Sequence, residues 1–265
     1  MANEKPISDA DVYRSVVPTV HTIGVADLTD ALTKGIDDFK AMPTHLVHFC
    51  WIYPVVILVG AKSYAGSDVL PLAFPLLTGY TLIGPIVATG MYELSRRRET
   101  GRDISRMHAF EVVRSPSIRS IAILSILLML IYFIWLFTAR GLYNLYFGGH
   151  EPQSIMGFID QIFTTGAGWG LIVVGCTVGF IFAAVVFTMS VMSFPLLLDR
   201  DVGLMTAVGT SVRAVVRNPI TMFIWGVIIA VSLGVASIPF FVGIAIVMPV
   251  LGHATWHLYR KTVTP

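Results

Sequence analysis

The chain has 265 residues, of which 55% are hydrophobic and only 13% are charged, and its formal net charge is +2. Soluble domains carry about 25% charged residues, so this composition excludes an ordinary water-soluble globular protein. The two cysteines, Cys50 and Cys176, lie in separate apolar stretches. Their spacing fits neither a disulfide framework nor a cysteine metal site.

Six apolar stretches are long enough to cross the hydrocarbon core of a bilayer, which takes about 20 helical residues. In chain order these predicted spans are residues 45–61, 69–91, 121–138, 169–198, 220–237 and 240–258. Pro239 separates the last two spans, which would form a tight hairpin. The sequence therefore predicts an all-α polytopic membrane protein with six transmembrane helices arranged as three hairpins.

The positive charges are distributed unequally between the two sides that these spans define. Of the 18 Lys and Arg residues, only Lys62 and Arg140 fall on one side, and the other 16 share the opposite side. Cytoplasmic loops retain Lys and Arg, so this asymmetry is an orientation signal. It predicts an inner membrane protein with a cytoplasmic N-terminus and a cytoplasmic C-terminus.

Two of the predicted cytoplasmic segments, residues 28–43 and 204–219, align without a gap. Each has the apolar stripe of an amphipathic helix, ends in Pro and leads directly into a span, as an interfacial helix would. The matched stripes are Leu28, Ala31, Leu32, Ile36 and Phe39 against Leu204, Ala207, Val208, Val212 and Val215. A weaker copy covers residues 103–113, and residues 155–163 predict one more short interfacial helix on the outer side.

This repetition predicts a cytoplasmic tail over residues 1–26 and a six-span membrane domain over 27–262. The pseudo-repeat units would cover about 27–98, 103–198 and 201–262, with Asp27, Asp103 and Asp201 as candidate N-caps. The alternative is that any cytoplasmic connector of a membrane bundle tends to be amphipathic, without duplication.

Three stretches carry a resemblance to a known family. They are GPIVATGMYELSRRRETG at residues 84–101, PLLLDRD at 195–201 with its continuation to 219, and HATWHLYR at 253–260. Together they resemble the bacterial predicted integral membrane proteins of domain-of-unknown-function family number 2189. The resemblance implies a six-span protein with no established activity and no catalytic residues to carry over. Some members are labelled putative cytochrome c oxidase subunit, which implies a respiratory connection.

Four histidines form the first candidate site, a cofactor site. His45 and His48 are three residues apart at the inner end of the first span, and His253 and His257 are four apart at the inner end of the sixth. Both spacings place two imidazoles on one helix face, and neutral imidazole binds transition metals and haem. The alternative is that the four histidines bond to headgroups, helix caps or water.

Charged residues near the predicted inner border form the second candidate site, for a partner or for lipid phosphates. The candidates are Glu93, Arg96, Arg97, Arg98, Asp199, Arg200 and Asp201. The alternatives are an ion pair between Glu93 and Arg96 or Arg97, a topology anchor for the arginine run, and capping of the next helix by the aspartates.

The sequence indicates the function of the protein less clearly than its topology. We expect a non-enzymatic accessory or assembly partner of a larger membrane complex, with a respiratory terminal oxidase as the first candidate from the family label alone. The chain has too few histidines in its spans for a haem–copper catalytic subunit. Prolines inside the spans leave a small-molecule or lipid transporter as one alternative, and a protein binding haem or a metal as another. The expected partners are the bilayer, anionic headgroups and membrane subunits; no nucleic acid and no cofactor is predicted.

Overall fold

The computed structural model describes residues 18–42, 70–79, 82, 84–103, 105–148, 152, 154–238 and 242–264. The first predicted span, with His45 and His48, lies outside the described residues. The helices are α1 (Val25–Ala41), α2 (Ala73–Gly79), α3 (Gly84–Glu99), α4 (Ile118–Phe147), α5 (Ile155–Thr164), α6 (Gly166–Ser190), α7 (Ser193–Asp199), α8 (Leu204–Arg217), α9 (Pro219–Ser237) and α10 (Ile244–Thr262). Two 3₁₀ helices cover Leu70–Leu72 and Arg106–Arg114, and the two-residue strands β1 (Thr19–Val20) and β2 (Val263–Thr264) pair antiparallel.

Within the described residues, three helical stretches are long and apolar enough to cross a membrane. They are Ile118–Phe147, Gly166–Asp199 and Pro219–Ser237, which coincide with the third, fourth and fifth predicted spans. Large apolar side chains such as Phe137, Phe180 and Phe223 are more than half exposed on them, which is the arrangement expected of surfaces that face lipid. The all-α fold class is confirmed, and these helices are its candidate membrane spans.

The second and sixth predicted spans have a different structure. The described residues of the second include α2 and the first half of α3, and a Cβ on Gly79 at the end of α2 would lie 2.5 Å from the Tyr132 ring. The sixth corresponds to α10, which has Pro249 inside it and is buried along most of its length. Because most residues of α10 are buried against other helices, α10 is a central helix of the fold. It differs in this from the three apolar helices, whose side chains are largely exposed.

The amphipathic segments are helical where the sequence predicts them. Residues 28–43 and 204–219 correspond to α1 and α8, residues 155–163 correspond to α5, and residues 103–113 form mainly the longer 3₁₀ helix. The cytoplasmic location of α1, α8 and the 3₁₀ helix stays a prediction.

The three predicted aspartate caps are wrong. The N-cap of α1 is Gly24, whose N–H donates to Asp27 at 2.9 Å, so Asp27 occupies the third helical position. The N-cap of α8 is Gly203, which has a φ of 77° that favours glycine. Asp103 lies ahead of a 3₁₀ helix that begins only at Arg106.

Helix α10 packs closely on α1 and α3 through small residues. Helices α1 and α10 run antiparallel, since Asp27 in the first turn of α1 bonds to Lys261 in the last turn of α10, whereas Gly35 farther along α1 lies against the earlier residue Ala254. A Cβ on Gly35 would lie 2.7 Å from the backbone nitrogen of Ala254. The close approach brings the polar side chains of three helices together.

Candidate functional site

The central group of the candidate site is the carboxylate of Asp38, which is 4% exposed on α1. Its Oδ2 accepts hydrogen bonds from Ser95 Oγ at 2.5 Å and from His257 Nε2 at 2.8 Å. Its Oδ1 accepts from Arg98 Nη1 at 2.6 Å. His253 Nδ1 lies 2.7 Å from Ser95 Oγ. We call these five residues the Asp38 network.

Three helices supply the Asp38 network because each places its polar residues on an inward face. Ser95 and Arg98 are three residues apart on α3, and His253 and His257 are four apart on α10, so each pair shares a helix face. Ser95 donates its only proton to Asp38, so the Nδ1–H of His253 donates to Ser95 Oγ. The geometry therefore favours the Nδ1-protonated tautomer of His253.

The electrostatics of Asp38 reflect two opposed effects. Burial by itself would raise the pKa of this carboxyl group, but hydrogen bonds from His257 and Ser95, together with electrostatic interactions with the His257 and His253 imidazoles, lower the pKa below its ordinary value of 3.8. Hydrogen bonds to the ionised form stabilise it in this way. Asp38 is therefore a carboxylate at neutral pH, held by donors on two other helices.

The second candidate site is distributed over two further groups of ion pairs. Glu93 is 2% exposed and accepts from Arg96 Nε at 2.9 Å and from Arg97 Nε at 2.8 Å. Arg97 also bonds to Glu111 in the longer 3₁₀ helix, and Arg96 Nη1 donates to the Leu198 carbonyl oxygen at 3.2 Å. The ion pair that the sequence offered as an alternative for Glu93 is thus present.

Asp199 and Asp201 do not cap the next helix, so that interpretation is wrong. Asp199 Oδ2 accepts from the Tyr259 hydroxyl at 2.7 Å, and Arg200 Nε lies 3.4 Å from the same oxygen. Asp201 Oδ1 accepts from Ser117 Oγ at 3.0 Å, just before α4 begins. These aspartates instead connect α7 and the following turn to α10 and α4.

The structure brings together only some of the predicted site residues. His253 and His257 are joined by Asp38 and Ser95, which the sequence did not single out, while convergence with His45 and His48 stays a prediction. The missed signal is the spacing of Ala31, Gly35 and Asp38, which places an aspartate on the small-residue face of α1. That face, with Leu28, is the buried one, whereas Ile36 of the predicted stripe is 41% exposed.

The Asp38 network holds helices together and orients two imidazoles. Within it, Asp38 accepts hydrogen bonds from Ser95, His257 and Arg98. These bonds link α1 to α3 and α10, so the geometry supports a structural role for these groups. Among the described residues, His, Cys, Asp and Glu side chains form no group of three or more that could hold a metal ion.

Comparison with protein families gives a match to the central part of the chain. Residues 73–199 match the family model described as Predicted integral membrane protein (DUF2189). This is the family that the sequence motifs resemble, so that prediction is confirmed; the description carries no cytochrome c oxidase label. No curated protein and no solved structure matches the chain.

The match and the three apolar helices together identify an integral membrane protein in contact with the lipid bilayer. The matched residues run from α2 through α7 and include Ser95, Arg98 and the Glu93 ion pairs. Asp38, His253 and His257 lie outside them.

Proposed function

We propose that this protein is a non-enzymatic accessory or assembly partner of a larger complex in the bacterial inner membrane. In this proposal the chain crosses the membrane six times as three hairpins, and both termini are cytoplasmic. The polar end of the molecule, which contains the Asp38 network and the ion pairs of Glu93 and Asp199, then lies at the cytoplasmic surface. The unequal distribution of Lys and Arg supports this orientation.

The observation that carries the proposal is the exposure of α6. In the most apolar 18-residue part of the span Gly166–Asp199, 6% of residues are buried, compared with 22% in α4 and 28% in α9. One side of α6 packs on α4, where Phe182 lies 5.6 Å from Trp135 between ring centroids. The other side presents Val173, Cys176, Phe180 and Ala184 outward.

This outward face suits contact with another membrane helix. Helices associate in lipid through close packing at small residues, because the bilayer removes the hydrophobic driving force between them. Cys176 and Ala184 are small, and Gly175, which begins a GxxxG match with Gly179, has open space where its Cβ would be. Gly179 already lies against Trp135, so the exposed side of α6 remains for a partner.

A respiratory terminal oxidase is the first complex to test, because the family resemblance carries that label for some members. The ion pairs of the polar end are internal to this chain. A protein whose charges stabilise its own fold, and whose apolar helix is exposed, can add to a complex without supplying chemistry.

The test is a photo-crosslinking amino acid placed at Ala184 in the full chain, followed by mild-detergent purification and identification of the linked subunits. We expect oxidase subunits to be linked from Ala184. The matched control is the same amino acid at Val231, which is 58% exposed on α9 and belongs to a more buried span. Equal linkage from both positions, or purification without any oxidase subunit, would contradict the proposal.

A small-molecule or lipid transporter is the second candidate, favoured by the division of one span. The stretch Gly166–Asp199 is interrupted between α6 and α7. Transporters use discontinuous helices at their binding sites. At the break after α6, however, a side chain of the same protein already binds the freed backbone groups. Ser211 Oγ donates to the Thr188 carbonyl and accepts from the Met192 N–H. Solute uptake by proteoliposomes of the purified chain would replace the first proposal with this one.

A further inference from the structure

A small open pocket lies beside the first turn of α4. It is lined by Arg96 and Arg97 of α3, by Arg114 at the end of the longer 3₁₀ helix, and by Ser115 and Pro116 of the turn before α4. Its volume is about 180 Å³. Three guanidinium groups on two separate elements therefore border one cavity.

The charges around this pocket leave one arginine available for a ligand. Glu93 holds Arg96 and Arg97, and Glu111 holds Arg97 as well. Arg114 is exposed, and no carboxylate in the described part of the chain pairs with it. Three arginines and two glutamates give the lining a net charge of +1. A planar guanidinium matches the oxygens of a phosphate group.

The position of the pocket points to lipid. Arg114 precedes the start of α4 by four residues, so it lies where this membrane helix meets the polar end. On the same 3₁₀ helix, Phe110 is 53% exposed and Val113 is 69% exposed, and Ile126 in the early part of α4 is 69% exposed. Apolar side chains directly beside an exposed arginine are typical of an element at the boundary between headgroups and acyl chains.

We propose that this pocket binds the phosphate of an anionic phospholipid headgroup, with Arg114 as its donor. The acyl chains would then lie along Val113 and the exposed side of α4. This inference rests on the membrane orientation proposed above but not on any partner protein. The polar end is thereby attached to the membrane surface at one defined place, in addition to its general attraction to an anionic leaflet.

The experiment measures lipid binding to the full chain in detergent, by native mass spectrometry and by melting temperature. The probes are phosphatidylglycerol, phosphatidylcholine and inorganic phosphate. We expect phosphatidylglycerol to bind and to raise the melting temperature more than phosphatidylcholine. We expect Arg114→Gln to weaken phosphatidylglycerol binding roughly fivefold, since an arginine near the surface contributes about that factor, and Arg114→Lys to weaken it less.

The matched control is Arg217→Gln. Arg217 is also exposed and also directly precedes a membrane helix, but it does not line the pocket. Equal weakening by Arg114→Gln and Arg217→Gln would replace the pocket with diffuse surface attraction and overturn the proposal. Equal stabilisation by inorganic phosphate and by phosphatidylglycerol would overturn the assignment to lipid. Neither result depends on co-purified subunits, so this proposal can fail separately from the proposed function.

Discussion

Helices α1 and α8 have sequences that align without a gap, but different interactions hold their buried faces. The aligned pairs Ala31 and Ala207, Gly35 and Ser211, and Asp38 and Ala214 are buried in both helices. In α1 this face meets α10 through Gly35 and ends in the Asp38 network. In α8 it meets α6 through Ser211, which closes the break after Ser190.

The comparison shows that one amphipathic pattern can serve two structural purposes. The equivalent buried positions favour a true internal repeat, which stays a hypothesis. What differs is the residue at two equivalent positions: a glycine and an aspartate in α1, a serine and an alanine in α8. We therefore expect α1 to be held by close packing and buried charge, and α8 by hydrogen bonds to an interrupted helix.

The largest effect is expected from Asp38→Ala. This substitution leaves Ser95 and His257 without their acceptor in a buried site, and breaking a buried network of this kind costs about 3–5 kcal/mol. The free energy of unfolding in detergent should fall by that order. The control is Asp37→Ala, because Asp37 is the exposed neighbour on the same helix and should change stability by less than about 0.5 kcal/mol. Similar losses for the two variants would contradict the buried role of Asp38.

Gly35→Ala should destabilise the protein, whereas Gly209→Ala on α8 should not. A Cβ at Gly35 would lie 2.7 Å from the Ala254 nitrogen and 2.8 Å from its Cα, both backbone atoms. We expect a loss of about 1–3 kcal/mol from this overpacking. Gly209 on α8 has nothing within 4 Å of its Cβ position, so Gly209→Ala should gain up to about 1 kcal/mol of helix propensity. Equal decreases in melting temperature for Gly35→Ala and Gly209→Ala would contradict this expected difference.

Ser211→Ala should have a moderate effect confined to the break between α6 and α7. It removes the acceptor of the Met192 N–H and the donor to the Thr188 carbonyl, so the loss should be about 1–3 kcal/mol. The control is Ser125→Ala, because Ser125 bonds only to the Ile121 carbonyl within its own helix α4. Hydrogen exchange at residues 188–193 should increase in the first variant alone.

The smallest expected effect is a loss of stability at acidic pH that arises from Asp38 in α1. The pKa of Asp38 is lowered in the folded protein, so its contribution to stability is complete above the unfolded value of about 3.8 and is lost as the pH falls below it. We expect Asp38→Asn to flatten the loss of melting temperature in this acid range. An unchanged acid profile would show that other carboxylates cause the loss.

Local patterns are sufficient to predict three of the apolar helices and the ion pairs of Glu93. The third, fourth and fifth spans follow from long apolar runs, and the pairing of Glu93 with Arg96 and Arg97 follows from i, i+3 and i, i+4 spacing. The amphipathic helices were also predicted, although the stripe assigned to α1 was displaced from its buried face. That face contains glycine and aspartate, which hydrophobicity alone does not mark as buried.

Contacts between distant residues were not predictable. Asp38 bonds to residues 57 and 219 positions away in the sequence, and no spacing rule relates such positions. The helix starts were misplaced because Gly24 and Gly203 take the cap positions that the nearby aspartates indicated. The sequence pattern identified the two imidazoles of α10 but not the carboxylate that holds them.

The most direct test of the account is thiol labelling with a membrane-impermeant reagent, in a background of Cys50→Ser and Cys176→Ser. Lys40→Cys on α1, Arg217→Cys on α8 and Ala184→Cys on α6 are compared in right-side-out and inside-out membrane vesicles. We expect the first two to react only in inside-out vesicles and the third to react in neither. Labelling of Lys40→Cys and Arg217→Cys from opposite sides, or labelling of Ala184→Cys as fast as either, would contradict it.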